Sequence, residues 1–339
     1  MTVLQTSQAQ NVELTLQELR IELLRDCPLL CVHCSAYAAP HHNMHLPLQR
    51  VFSLINEFAD GGGRRITFTG GEPLMYTGIE GILQHSCERG LQTRLFSSGI
   101  TYDATTRTIG HSVLNRCAPF LDTIMYSVYS TRAEAHDQIT RISGSFGLTV
   151  EAIKYTLSLG ARAELHFVPT LQNYQELSLV VELAAALCVP RVGIIRFVPQ
   201  GRGKARAHEM ALHREAHQWL RETIITLRKR YPQVTLSVGS AYNLLGVHSL
   251  HPCTAGINQL VIEADGRIIP CSAFSGIRLN DPIGNILQQP LQIVWKHSLY
   301  LQEVRRVLAS AHACNGCLAQ KTIVAGHVDA QEHDPIEEL

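Results

Sequence analysis

At 339 residues, with 45% apolar and only 17% charged side chains, the chain can bury a large core and carries less charge than the roughly 25% of an average soluble domain. Its 29 basic and 29 acidic residues balance. No overall positive field exists to hold a nucleic acid backbone or an anionic membrane, and a small or neutral substrate fits better.

The opening "MTVLQTSQAQNVELTLQ" lacks the basic, apolar and small-residue succession of a signal peptide. The most apolar stretch, Leu177 to Val189, is short for a bilayer span and contains Glu182. A cytoplasmic setting is therefore expected. In a reducing compartment the ten cysteines read as metal ligands or reactive groups more readily than as disulfides.

From residue 18 to about residue 240, short apolar runs alternate with longer helical ones. "ELRIELL" predicts a first strand, and "RVFSLINEF" sets Val51, Leu54, Ile55 and Phe58 on one helical face. "RITFTG" and "TRLFSSG" predict the next two strands, with a helix at "GIEGILQHSCERG" between them. "TIMYSVYS", "RAELHFVPT" and "VGIIRFVPQG" predict strands four to six, each parted from the next by a helix. A last helix carries Leu220, Ile224 and Leu227, and "VTLSVG" fits one more strand.

Repeated units of this kind imply parallel pairing with right-handed crossovers. About six of them make an α/β fold of the partial (β/α)6 TIM-like barrel type; an open doubly wound sheet is the alternative that periodicity leaves standing. Either architecture puts chemistry at the carboxyl ends of the strands. Beyond residue 240, "NQLVIEADGRIIPC" predicts a hairpin turning on Asp265-Gly266. A helix over "LQIVWKHSLYLQEVRRVLAS", then "CNGC" and a polar tail, follow. The expected division is an arm over 1–17, the barrel over 18–240, a small α+β domain over 241–325 and a tail over 326–339.

Cys27, Cys31 and Cys34 crowd the loop after the first strand. Thiolates at that spacing can converge on one centre, and cysteine is the soft ligand that iron-sulfur clusters and zinc prefer. A four-iron cluster has four corners, so three thiolates leave one iron open to a substrate or cofactor. On spacing alone, an incomplete zinc site borrowing a histidine, or ordinary buried cysteines, stays open. Gly70, Gly71, Glu72 and Pro73 close the second strand. The glycines allow close backbone approach, and Pro73 withdraws a donor and stiffens the turn.

Together the CxxxCxxC loop and the GGEP turn resemble those of the radical S-adenosylmethionine (radical SAM) superfamily. The resemblance implies that Cys27, Cys31 and Cys34 hold a [4Fe-4S] cluster, that SAM chelates the fourth iron, and that the backbone of Gly70 to Pro73 holds the SAM amino group. It implies further SAM contacts. His33 stands where the family has an aromatic ring near adenine, and Ser98, in "FSSG", where relatives have a Thr-Asn-Gly type turn. Ser127 and Arg141 match the segment that holds ribose and carboxylate, and the backbone at Val198 the one that approaches adenine.

Cys253, Cys271, Cys314 and Cys317 form a second set. Their order resembles the twitch domain, the shortened relative of SPASM, and the spacing looks like that of the twitch-bearing dehydrogenase of butirosin biosynthesis. The resemblance implies one auxiliary [4Fe-4S] cluster saturated by four thiolates; by spacing alone a four-cysteine zinc site stays open. Cys87, Cys117 and Cys188 read as core thiols, and His41, His42 and His45 as a solvated loop.

The resemblance implies reductive cleavage of SAM to a 5'-deoxyadenosyl radical that takes a hydrogen atom from the substrate, with the electron from a flavodoxin or ferredoxin type donor. A saturated second cluster would accept an electron, so net two-electron oxidation of a small molecule or natural-product precursor is expected. Only about twenty residues precede the first strand, which argues against a fused leader-binding module and favours a small molecule. The alternatives are a peptide- or protein-modifying maturase, a redox-neutral epimerase and, in another class, a non-catalytic iron-sulfur or zinc protein.

Overall fold

In β1 (Glu18–Glu22), Leu19 and Ile21 are buried in the main hydrophobic core, while Arg20 and Glu22 point to the opposite face. The same alternation recurs in β2 (Arg65–Thr69), β3 (Gln92–Ser97), β6 (Thr123–Ser127) and β7 (Ala163–Phe167), after the hairpin strands β4 (Ile100–Asp103) and β5 (Thr106–Ile109). One face of the sheet is thus apolar and covered by helices, and the other carries polar and aromatic groups. This is a computed structural model, and it describes residues 14–103, 105–247, 252–277, 283–309 and 316–328.

With β8 (Arg191–Ile194), β9 (Thr235–Val238), β10 (Gln259–Ile262) and β11 (Ile268–Ile269), the main sheet has the order β11-β10-β1-β2-β3-β6-β7-β8-β9. Every pairing is parallel except that of β10 with β11. From β1 to β9 the order never reverses, which excludes the doubly wound alternative, where the chain changes direction at a switch point. The TIM-like reading holds. β10 occupies the free edge of β1, so β9 never closes on it.

The helices follow the predicted faces. Leu48–Asp60 buries Val51, Leu54, Ile55 and Phe58, and Arg214–Arg230 buries Leu220, Ile224 and Leu227. Two local features differ from expectation. The β4–β5 hairpin was not foreseen, and the long C-terminal helix is two, Leu291–His297 and Leu299–Ala309, because Ser298 is extended at ψ 117°.

The C-terminal segment is fastened to the barrel. Leu260 and Ile262 of β10 belong to the main core, whereas Val261 faces a second core with Ile269, Phe274 and Val304. Arg50 Nε donates to Ile286 O at 2.6 Å, the Leu291 amide donates to Glu57 at 2.6 Å, and Trp295 Nε1 donates to Leu14 O at 2.8 Å. No described helix is long and apolar enough to cross a membrane.

Leu54 is fully buried and Ile293 is 51% exposed. Leu54→Ala is expected to cost roughly 2–5 kcal/mol in a urea titration, through lost transfer energy and a residual cavity. Ile293→Ala should stay within about 0.5 kcal/mol of the parent.

Candidate functional site

At the end of β2 the chain needs residues without side chains. A Cβ on Gly70, whose φ is +127°, would lie 2.4 Å from Leu24 O, and one on Gly71 would lie 2.0 Å from Asp26 O. That proximity serves hydrogen bonding: the Gly71 amide donates to Leu24 O at 2.7 Å and the Glu72 amide to Asp26 O at 2.8 Å. The turn is stitched to the chain just ahead of Cys27.

Glu72, 1% exposed, turns its carboxylate away from that seam. Oε1 accepts from the Ser97 hydroxyl at 2.6 Å and the Leu74 amide at 3.2 Å; Oε2 accepts from the Ser98 hydroxyl at 2.6 Å and the Ser98 amide at 2.8 Å. Burial raises its pKa, and these bonds act against that rise. Glu72 therefore fastens the end of β2 to the end of β3. Ser98 has its hydroxyl and its amide engaged with Glu72 in this turn.

The thiol loop lies against this seam. The Cys27 amide donates to Ala39 O at 3.2 Å, and the amides of Leu30 and Val32 donate to Thr140 O and Ile139 O at 3.0 and 2.9 Å. Cys31 and Cys34 pack with Cys27, Leu29, Ala36 and Ile100 in a small apolar cluster. Burial, reinforced by mutual repulsion of the would-be thiolates, pushes Cys31 up to about 12 and Cys27 well above its ordinary value; Cys34 is raised as well, chiefly by burial. Bare thiolates are disfavoured here, and bound metal cations would reverse that balance. Among the described residues, no three Cys, His, Asp or Glu side chains are gathered tightly enough to hold a single metal ion.

Arg202 is the residue that sequence reasoning missed. Its amide donates to Cys34 O and its Nε to Cys31 O, both at 2.9 Å, and its charge opposes the upward shift of Cys31 and Cys34. Gly201, at φ +53°, has no room for a Cβ, which would sit 2.2 Å from Cys34 O. The "GRG" triplet after the sixth predicted strand was the available signal.

The other predicted residues spread around this centre. His33 meets Tyr129 edge-on at 4.6 Å, and burial, then Arg202 and His136, lower its pKa to about 4, so it is neutral at pH 7. Ser127 ends β6, two residues before the buried Tyr129. Val198 is half-buried, next to Phe197, which packs on Val32 and Tyr129. Arg141 is exposed at φ +60° and lines a surface cavity with Val32 and Ile139. His41 is exposed and stacks on Tyr102 at 5.4 Å, as suits a solvated loop.

Across the inner face, the guanidinium of Arg20 lies 5.2 Å from the Phe96 ring, which meets His166 edge-on at 4.7 Å. Arg20 Nη1 donates to Ser272 Oγ and Gln200 Nε2 to Ser272 O, both at 2.8 Å. The loop after Cys271 is thereby anchored to the barrel's inner face. Cys253, Cys271 and Cys317 share the second core; burial pushes the Cys271 thiol up, and Cys253 and Cys317 add to the shift. Cys314 lies outside the described residues. Of the thiols expected in the core, only Cys117 is there. Cys87 sits on the outer side of a helix that buries Ile79, Ile82, Leu83 and Ser86, and Cys188 is exposed in the turn after its helix.

Three thiols in a partly buried loop, a glycine turn that admits backbone approach, and buried polar atoms without partners among the described residues at His33 Nδ1, Gln200 Oε1 and Glu22 Oε2 fit an iron-sulfur cluster with a polar organic ligand. The inner face then leads to a second thiol group, an arrangement suited to moving electrons between two soft-ligand centres.

Comparison with known proteins agrees. The family model described as the Radical SAM superfamily matches residues 21–184, and that of an iron-sulfur cluster-binding domain, SPASM, matches residues 253–318. An AdoMet-dependent heme synthase of Oleidesulfovibrio alaskensis is 22% identical over 92% of this chain and 84% of its own length. A PqqA peptide cyclase of Rhizobium meliloti is 23% identical over 93% and 85%. In fold, Streptococcus suis SuiB bound to S-adenosylmethionine superposes with a TM-score of 0.74 at 16% identity, covering 96% of this chain and 78% of SuiB. AdoMet-bound anSMEcpe with a Cp18Cys peptide gives 0.70 at 15%, covering 95% and 96%. Motif, fold and family models converge: the chain belongs to the radical SAM superfamily and carries a SPASM-type iron-sulfur domain at its C-terminal end.

Proposed function

We propose that Cys27, Cys31 and Cys34 hold the cluster that binds SAM, with the backbone of Gly70, Gly71, Glu72 and Pro73 and the residues His33, Ser98, Ser127, Arg141 and Val198 around the ligand. In this reading Cys253, Cys271, Cys314 and Cys317 hold one auxiliary cluster in a domain that begins near residue 241, and the net reaction is a two-electron oxidation of a small molecule or natural-product precursor. The observation that carries it is the hydrogen-bonded seam between the glycine turn and the thiol loop, on a sheet whose Arg20 reaches Ser272 beside Cys271. When bound, the cluster and SAM supply the radical that takes a substrate hydrogen atom. The chain's own residues do the rest. Gly70 and Gly71 leave the space for backbone approach, Glu72 keeps the two turns in register, and Arg202 braces the thiol loop. The inner face orients the substrate and excludes water. A flavodoxin or ferredoxin type protein in the cytoplasm supplies the electron.

A second reading has a specific observation in its favour. Relatives include PqqA peptide cyclases, and SuiB is seen bound to its precursor peptide SuiA. A peptide laid along the inner face would undergo the same chemistry.

Anaerobically reconstituted, dithionite-reduced protein should convert SAM to 5'-deoxyadenosine; none formed would overturn the proposal. Deuterated small molecules and peptides then separate the two readings by which class transfers deuterium to that product. Gly71→Val, placing a side chain where only 2.0 Å separates a Cβ from Asp26 O, should weaken SAM binding at least about tenfold, or 1.4 kcal/mol, in folded protein as judged by thermal melting. Cys271→Ala should lower iron content by about half and cut the ratio of oxidised product to 5'-deoxyadenosine. An unchanged ratio would contradict the acceptor role.

A further inference from the structure

Glu22 closes β1 on the inner face, and its surroundings set it apart from the other buried carboxylates. Glu72 has both oxygens hydrogen-bonded, and Glu176 accepts from Ser130 at 2.8 Å and from Arg132 at 2.7 Å. Glu263 accepts from Ser275 Oγ at 2.6 Å, and its Oε2, although poorly angled for a hydrogen bond, lies 2.9 Å from Arg267. Glu22 is 6% exposed, and its Oε2 is buried with no hydrogen-bond partner among the described residues. An orphaned buried carboxylate oxygen is costly, and at the mouth of a barrel it points to a function.

Its position supplies one. The β1–β10 register, continued one step past Ile21 and Ile262, sets Glu263 beside it on the neighbouring strand. Arg20, two residues earlier on the same face, bonds Ser272 next to Cys271. The charge of Glu22 also acts on Cys34, on the other side. Glu22 is thus near enough to Cys34 for its charge to act there, while its neighbour on the same strand face, Arg20, reaches the loop that carries Cys271. The charged groups that face it are Glu263 and Asp265, which repel its carboxylate, and Arg25, Arg20 and Arg267, which attract it. Burial, then Glu263, outweigh the cations and raise its pKa to about 7. A carboxylate so poised can take a proton and release it again at neutral pH.

We propose that Glu22 is the base that receives the proton released when the substrate is oxidised, an inference that rests on the function proposed above. Once the substrate C–H has given up its hydrogen atom, the carbon radical holds one electron more than the product needs. The adjacent O–H or N–H transfers its proton to Glu22 Oε2 as the carbon–heteroatom bond becomes double, leaving Glu22 neutral. The auxiliary cluster that the second thiol group would hold would supply the acceptor for the one electron released. The substrate class is therefore one whose attacked carbon carries a hydroxyl or an amide or amine nitrogen.

The test uses full-length protein with both clusters reconstituted and Glu22→Gln. An infrared pH titration with isotope-labelled glutamate should show a protonated carboxyl band at pH 5.5 that fades towards pH 8.5 in the parent and is missing from the variant. Because the folded-state pKa is raised, the native state binds the extra proton between about pH 4.5 and 7, so parent stability falls across that window and the variant lacks the fall. The melting temperature of the variant relative to the parent should rise from pH 5 to pH 8.5. With any deuterated alcohol or peptide that labels 5'-deoxyadenosine, the variant's ratio of oxidised product to labelled 5'-deoxyadenosine should fall at least tenfold. An unchanged ratio, or a band and melting profile that the substitution leaves intact, would overturn the inference. Parent protein that cleaves no SAM would overturn the reading beneath it, which is a separate result.

Discussion

The site depends on one close approach: two glycines at the end of β2 pressed against the carbonyls of Leu24 and Asp26. No side chain fits there, so the constraint acts directly on sequence. It brings the backbone of the second strand's turn and the start of the thiol loop into a single hydrogen-bonded seam. Glu72, buried and bonded to both Ser97 and Ser98, extends the seam to the third strand. Three successive strand ends are thereby held in register by the chain's own hydrogen bonds, which is what preorganisation of a site requires.

The rest of the molecule supports that seam at a distance. An apolar outer face drives helix packing, and the inner face is left to Arg20, Glu22, Phe96 and His166. Such a face would be unfavourable in a closed core, because unpartnered charge is costly away from water. In the proposed reading it is the wall that joins the two thiol groups. The docking of β10 on β1, with Arg20 reaching Ser272, makes the C-terminal segment part of the barrel's inner wall.

Much of this was legible in the sequence, for physical reasons. The helix of Val51, Leu54, Ile55 and Phe58 was readable because burial on one face imposes a period that composition preserves. GGEP was readable because the backbone geometry it needs excludes side chains. Strand order was not, since periodicity marks strands without pairing them; the choice between barrel and doubly wound sheet had to come from the observed register. The β4–β5 hairpin lacks an Asn-Gly or Asp-Gly turn in "ITYDATTRTIG" and so went unseen. Arg202 and the isolation of Glu22 arise from contacts between residues far apart in the chain, and no local pattern records them. Cys87 and Cys188 were placed in the core on residue type alone, which does not say which side of a helix or turn a thiol occupies.

The most direct test of the central claim is low-temperature electron paramagnetic resonance of anaerobically reconstituted, reduced protein, recorded before and after SAM is added, alongside iron and sulfide analysis. Two reduced [4Fe-4S] signals, of which SAM perturbs only the one lost in a Cys31→Ala variant, are the predicted result. Protein without inorganic sulfide, or spectra that SAM leaves unchanged, would contradict it.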